Sequence, residues 1–375
     1  MASKSYYINN PSNNIPDSKT STILSKSTSL AYHKTLPGYK PTPIIDLPAL
    51  AAEYGVGKVY IKNESFRFEL NAFKGLGASY AIYKLLESNP EIDTFCTATD
   101  GNHGRAVAWA AMMNGKNARI FVPFDTTLSR MEAIESEGGI VEKFNGTYDE
   151  TCEYARIMAD GNGWTLVQDA SWEDYEDIPA HIMAGYLTHF NELEKDLHLL
   201  PKPAVDIVFL QSGVGSWPAA AAWYYTQRYG ENKPKLVTVE PVEAAGLLAS
   251  FQAGERISPS GNYRTMMAGL NCGIPSLTAW EILKETVDAS IAIQDTYTII
   301  AMKKLYSNPI FEEKIISGES GAAGLAGFIA LMTDPDLFEL QKSLGINGNT
   351  RVLCYSTEGA TDPGNFQKII DDMPG

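Results

Sequence analysis

A two-lobed α/β fold, with one open, twisted, mainly parallel sheet flanked by helices in each lobe, is predicted by three observations. Short apolar runs alternate with longer amphipathic stretches along most of the chain, the pattern of successive strand–helix units. At 375 residues, 44% hydrophobic and 20% charged, the chain can bury a large core and divide it between two lobes. Polar or glycine-rich turns close several predicted strands, and such strand ends are where parallel α/β sheets collect ligands.

Residues 1–40 are rich in Ser, Asn, Pro and Lys without sustained periodicity and predict an arm or loose wrap on the body. From Pro41 the pattern changes: Thr42 to Pro48 leads into a short helix, and Lys58 to Lys62 alternates as a strand. A helix is expected through Ala81 to Leu86. Strands follow at Phe95–Thr99, Arg119–Val122, Gly139–Phe144 and Thr165–Gln168, separated by helices at Gly104–Asn114, Leu128–Glu137 and Asp149–Asn162. A long helix from Ile178 to about Leu199, followed by Pro201-Lys202-Pro203, marks a lobe boundary. Strands then recur at Asp206–Leu210, Lys235–Glu240, Ser290–Ile293 and Arg351–Tyr355, with helices at Pro218–Tyr229, Asp295–Ser307, Gly321–Met332 and Asp334–Leu344. The expected division is an arm at 1–40, a larger lobe formed by 41–87 and 201–375, and a smaller lobe at 88–200.

Composition excludes several classes of partner. A formal charge of -15 disfavours nucleic acid and anionic membrane surfaces and directs attention to a small-molecule site. No apolar run reaches the roughly 18 to 20 residues that span a bilayer, and the opening MASKSYYINN lacks the apolar core of a signal peptide, so a cytoplasmic protein is expected. Cys96, Cys152, Cys272 and Cys354 are scattered without a C-x-x-C pair, and the five histidines lack metal-ligand spacing. Neither a disulfide framework nor a metal site is expected.

Five stretches can carry chemistry. In Asn71-Ala72-Phe73-Lys74-Gly75-Leu76-Gly77-Ala78-Ser79-Tyr80 a single lysine sits between an aromatic residue and small residues, a sheltered place for an amine that must react with a carbonyl. On that stretch alone a helix N-terminus with a solvated lysine is the favoured reading. Thr99-Asp100-Gly101-Asn102-His103-Gly104-Arg105 joins a strand to a helix: its glycines permit close approach, its amides can hold a carboxylate, and Asp100 can act as a base. Gln211-Ser212-Gly213-Val214-Gly215-Ser216 has the form of a phosphate cradle, but matches neither a dinucleotide fingerprint nor a P-loop. Ser356-Thr357-Glu358-Gly359 closes another strand, where a hydroxyl can face a ring nitrogen. Asp169, beside Trp172, is expected to lie where the aromatic ring excludes water and raises the carboxyl pKa.

Together, the lysine in Asn-x-Phe-Lys, the Gly-Asn-His-Gly turn, the Ser-Gly-x-Gly-Ser cradle and the late Ser-Thr turn resemble the fold-type II pyridoxal-phosphate enzymes. More closely, Phe66-Arg67-Phe68, Asn71-Ala72-Phe73-Lys74, Ala98 to Arg105, Val167-Gln168-Asp169 with Trp172-Glu173, Met267-Ala268-Gly269-Leu270, Ile316 to Gly321 and Ser356-Thr357-Glu358-Gly359 are similar to the diaminopropionate ammonia-lyase family. The Asp of Thr-Asp-Gly-Asn-His-Gly sets that family apart from serine and threonine dehydratases, and the resemblance covers about residues 40–365.

The resemblance implies pyridoxal 5'-phosphate as cofactor. Lys74 would hold it as a Schiff base and Asn102 would contact its hydroxyl. Ser212, Gly213, Val214, Gly215 and Ser216 would hold its phosphate, and Ser356 or Thr357 would face its ring nitrogen. Ser79, Asp100, Gly101, Asn102, His103 and Asp169 would line the substrate's place. Lys74 and Asp100 would act as bases on opposite faces, so that D- and L-2,3-diaminopropionate both react, and Asp169 would attract the β-ammonium. The products would be pyruvate and two ammonia through aminoacrylate, and the enzyme a homodimer. The alternatives are a dehydratase or racemase acting on another 3-substituted alanine, and a non-catalytic cofactor-binding protein. The sequence departs from the family in Gly75-Leu76-Gly77-Ala78-Ser79 after the lysine, and in the bulky Trp217-Pro218 after the cradle.

Overall fold

The computed structural model describes residues 4–99, 101–196, 203–307 and 314–372. Its strands are β1 (Tyr6–Ile8), β2 (Ile44–Asp46), β3 (Lys58–Asn63), β4 (Thr94–Ala98), β5 (Asn117–Pro123), β6 (Gly139–Phe144), β7 (Thr165–Leu166), β8 (Ile207–Gln211), β9 (Lys235–Pro241), β10 (Ala289–Ile293) and β11 (Arg351–Ser356). They form two sheets, one of seven strands in the order β1-β10-β9-β8-β11-β3-β2 and one of four in the order β6-β5-β4-β7. All pairs of the smaller sheet are parallel. In the larger sheet only the two outer pairs, β1 with β10 and β2 with β3, are antiparallel.

The interior strands are buried on both faces. Ile207-Val208-Phe209-Leu210 of β8 are each at most 2% exposed, because helices cover the sheet on either side. Val208 and Leu210 join one core cluster, Ile207 and Phe209 the other, so the alternation of the strand distributes its side chains between two layers. The long helix Asp177–Asp196 packs on the helix Lys74–Ser88 through glycine: a Cβ on Gly185 would lie 2.4 Å from the Leu76 carbonyl oxygen and 2.8 Å from Gly77 Cα. Gly77 therefore serves the helix crossing. A Cβ there would meet Tyr186 Cε1 at 2.5 Å.

The N-terminal segment differs from the loose wrap expected of it. Tyr6–Ile8 adds an antiparallel strand to β10, and short helices at Lys19–Ser25 and Ser29–His33 follow. His33 is fully buried, its Nε2 donating to the Leu76 carbonyl at 3.0 Å while its Nδ1 accepts from the Thr188 hydroxyl at 2.6 Å. Leu24 and Thr20 are buried too. A few deeply inserted residues anchor a segment whose composition is polar overall. Helices at Gly246–Ala253, Leu277–Thr286 and Pro363–Asp371 also had no sequence expectation, and the helix expected at Asp334–Leu344 breaks into a 3₁₀ turn and the helix Phe338–Leu344. The end of the long helix beyond Asp196 and the Pro201-Lys202 break lie outside the described residues.

Candidate active site

Lys74 is the first residue of its helix. The chain reaches it through Phe68, Glu69 and Asn71, all with left-handed φ (+53°, +61° and +56°), a conformation costing roughly 1–2 kcal/mol per non-glycine residue. Contacts to the turn after β11 hold this segment. Phe73 N–H donates to the Thr357 carbonyl at 3.1 Å, Gly359 N–H donates to the Asn71 carbonyl at 2.8 Å, and Ala72 bridges to Glu358. The lysine and the Thr357–Glu358 turn are thus one rigid unit.

Lys74 Nζ lies 2.5 Å from Asp169 Oδ2 in a largely buried ion pair. Burial on its own drives the Asp169 carboxyl upward, but the ammonium of Lys74 overrules it and holds the carboxyl at about 2. Burial likewise pulls Lys74 down and the Asp169 charge prevails, so the amine sits above the usual lysine range. This corrects the expectation that Trp172 raises the Asp169 pKa: the indole stacks on Tyr175, centroids 4.2 Å apart, and the nearest determinant of Asp169 is a cation.

His103 Nε2 donates to the Val167 carbonyl at 2.7 Å, and its Nδ1, without a hydrogen-bond partner among the described residues, is 4.0 Å from Asp169 Oδ2. Burial lowers the imidazole pKa, so the ring is a neutral acceptor facing the pair. Thr99 Oγ1 accepts from the N–H groups of Gly101 (2.9 Å) and Gly104 (3.1 Å), closing the turn without using its remaining amides. Asn102 opens the helix Asn102–Met113, and its Nδ2 donates to the Glu358 carboxylate.

The 211–216 turn ends in Gly215 at φ +93°, the N-cap of Ser216–Tyr229, with no side chain capping the helix. Free amides at such a terminus suit an anion. A Cβ on Gly213 would stand 3.0 Å from the Gly269 carbonyl oxygen, so the cradle is shaped for a backbone without side chains. Pro218, third in the helix, is tolerated because that position needs no intrahelical N–H. Gln211 Nε2 donates to Thr357 Oγ1 at 2.9 Å, which leaves the threonine hydroxyl hydrogen to point at a ligand.

One cavity is lined by Lys74, Gly101, Asn102, His103, Asp169, Gly213, Val214, Gly215, Ser216 and Thr357, ten of the residues expected from sequence. Three others lie off its wall. Ser356 Oγ is turned to Ser317 at 2.8 Å, since successive residues at a strand end face opposite ways; Ser212 is fully buried; and Ser79 faces His33 Nε2 at 3.2 Å. Asp100 lies outside the described residues. Glu358, Gln211 and Arg130 line the cavity without having been assigned a role. A lone carboxylate in the small-residue turn Ser-Thr-Glu-Gly was the available signal for Glu358; nothing local marks Arg130, which packs 3.3 Å from the position a Gly101 Cβ would take.

An amine, an uncapped glycine cradle at a helix N-terminus and a hydroxyl donor facing inward fit a phosphorylated aromatic aldehyde, and they define a fold-type II pyridoxal-phosphate enzyme. The family of that description, "Pyridoxal-phosphate dependent enzyme", matches residues 35–356. The diaminopropionate ammonia-lyase of Salmonella typhimurium is 37% identical over 365 residues, covering 91% of this chain and 90% of the relative. The Escherichia coli K12 enzyme is 36% identical over 357 residues, covering 90% and 89%. The crystal structure of the holo Escherichia coli diaminopropionate ammonia lyase superposes with a TM-score of 0.88 at 34% identity, over 97% of this chain and 96% of that one. The chain belongs to the pyridoxal-phosphate dependent enzymes and, within them, to the diaminopropionate ammonia-lyase family. Its cofactor is pyridoxal 5'-phosphate.

Proposed function

We propose that the protein converts 2,3-diaminopropionate and water to pyruvate and two ammonia by β-elimination. The observation that carries the reading is the buried Lys74–Asp169 pair in a cavity that also holds the uncapped cradle. Its relatives support it: one structure of the Escherichia coli enzyme, TM-score 0.87 at 34% identity over 98% of this chain and 97% of that one, is a complex with an aminoacrylate-PLP azomethine reaction intermediate.

Bound pyridoxal phosphate supplies the electron sink for the pair left at Cα when its proton departs. The chain's residues do the rest. The amides of residues 213–216 would hold the phosphate, Asn102 would donate to the cofactor hydroxyl, and Thr357 would donate to the ring nitrogen, a neutral partner that would leave that nitrogen unprotonated. Lys74, once its amine is freed by the incoming substrate, accepts the Cα proton at Nζ. Asp169, released from Lys74, draws the β-ammonium and keeps it charged until it leaves as ammonia. The amides following Asp100 hold the substrate carboxylate, and Asp100 serves as base for the opposite enantiomer. Aminoacrylate, once released, hydrolyses to pyruvate and the second ammonia. The lobe division at 88–200, a homodimer and a cytoplasmic location complete the proposal, on the strength of the sequence and the family resemblance; among the described residues no helix is long and apolar enough to cross a membrane.

Pyruvate and ammonia release from D- and L-diaminopropionate, set against D- and L-serine, tests the reading. Diaminopropionate is expected to be preferred in kcat/KM, and Lys74→Ala to abolish both turnover and the cofactor band near about 410–420 nm. A large preference for serine overturns the substrate assignment.

A further inference from the structure

We propose that Glu358 is a positioning residue that sets the Asn102 amide, so that Asn102 offers the cavity an N–H and never its carbonyl oxygen. The proposal rests on the assignment of the cavity to pyridoxal phosphate.

Glu358 follows β11 and is 3% exposed. Three donors converge on its carboxylate: Asn102 Nδ2, the Ser320 N–H at 3.0 Å on Oε1, and the Thr361 hydroxyl at 3.4 Å on Oε2. An ionised carboxylate only accepts, so of the two edges of the Asn102 amide only the NH₂ edge can face it. One N–H is then engaged, and the other is left for an acceptor in the cavity. A ligand oxygen that carries negative charge, as a phenolic oxygen does, meets that requirement; a donor does not.

The surrounding backbone is built to hold this carboxylate. A Cβ on Gly318 would lie 3.0 Å from Glu358 Oε1, and one on Gly321 would lie 2.4 Å from the Glu358 carbonyl oxygen. The Ser317-Gly318-Glu319-Ser320-Gly321 run thus closes around Glu358 through its two glycines. The Glu358 backbone in turn bridges Ala72, two residues before Lys74. Glu358 therefore joins the lysine segment, the Asn102 helix and the Thr357 turn.

In Glu358→Gln, the new NH₂ must face either Asn102 Nδ2 or the Ser320 N–H, donor against donor. In the cofactor-loaded protein the expected result is at least about tenfold weaker cofactor binding and a shifted pH midpoint of the cofactor band. A side chain that only supports the fold would weaken binding independently of Asn102. Acting through Asn102, the substitution should instead add little to Asn102→Ala in a double-mutant cycle. Unchanged affinity and midpoint in folded Glu358→Gln, or full additivity with Asn102→Ala, would overturn the proposal. If Glu358→Gln does not fold, Asn102→Asp takes its place. Setting two carboxylates together should loosen the cofactor more at pH 8 than at pH 6, relative to the wild type, and a loss independent of pH overturns the proposal. A wild-type protein that shows no band with pyridoxal phosphate would instead refute the cavity assignment itself.

Discussion

Trp217 donates its indole N–H to Nε2 of His189 across 3.0 Å, and because an indole nitrogen only donates, the imidazole proton sits on Nδ1, 3.6 Å from a Glu64 carboxylate oxygen. Trp217 lines the cavity beside the cradle, while Glu64 belongs to a buried charge cluster behind it. The bulky residue that departs from the family pattern is thus fixed from the rear.

His189→Phe removes that support and is expected to lower unfolding free energy by about 1–3 kcal/mol, with weaker cofactor binding. Urea denaturation and cofactor titration check it. Trp217→Phe should cost less alone, and the pair should be non-additive.

Arg67 stands at the centre of the cluster. It donates to Glu64 (2.9 and 3.0 Å) and to Glu192 (2.9 and 2.8 Å), and Lys62 adds a bond of 2.9 Å to Glu192. Arg67→Met leaves two buried carboxylates facing one ammonium and should destabilise by about 3–5 kcal/mol. Arg67→Lys is expected to rescue little, since the fork that serves both carboxylates is lost. Denaturation midpoints of the two variants decide the point.

Acid should destabilise the cofactor-free protein over two pH windows. Burial, first of its causes, lowers His33 from 6.5 to about 3. Such a depressed histidine contributes stability that is present above pH 6.5 and lost as pH falls towards about 3, with a slope of about 1.4 kcal/mol per pH unit. Asp169, depressed from 3.8 to about 2, has the same sign and acts below pH 3.8. Melting temperature followed against pH should fall through the first window in the wild type and less steeply in His33→Gln.

Gly185→Ala and Gly75→Ala should separate widely. The first drives a methyl into the Leu76 carbonyl at 2.4 Å, where backbone cannot give. The second meets only side chains, Leu70 Cδ1 at 2.9 Å and Phe68 Cδ2 at 3.1 Å. A loss of about 1–3 kcal/mol is expected for Gly185→Ala and a smaller one for Gly75→Ala. Equal midpoints in thermal melts would contradict the helix-crossing account.

Sequence by itself was sufficient for the alternation of strands and helices and for the turns that meet at the cavity. Those features are local: apolar runs such as Ile207 to Leu210 and turns such as Ser212 to Ser216 carry their geometry in consecutive residues. It failed where distant segments act on one another. The composition of the arm predicts a loose wrap because the residues that anchor it, His33 and Leu24 among them, are few in a polar background. Ser356 and Thr357 are distinguished by Gln211, from another strand, whose amide donates to the threonine hydroxyl oxygen. Its sequence neighbour Trp172 predicts a raised pKa for Asp169, whereas its ionisation is set by Lys74, 95 residues away. The role of Glu358 comes from Asn102, 256 residues away, whose amide donates to its carboxylate. Electrostatic and hydrogen-bond partners are chosen by proximity in space, and a sheet order such as β8-β11-β3 brings together residues that no window of sequence contains.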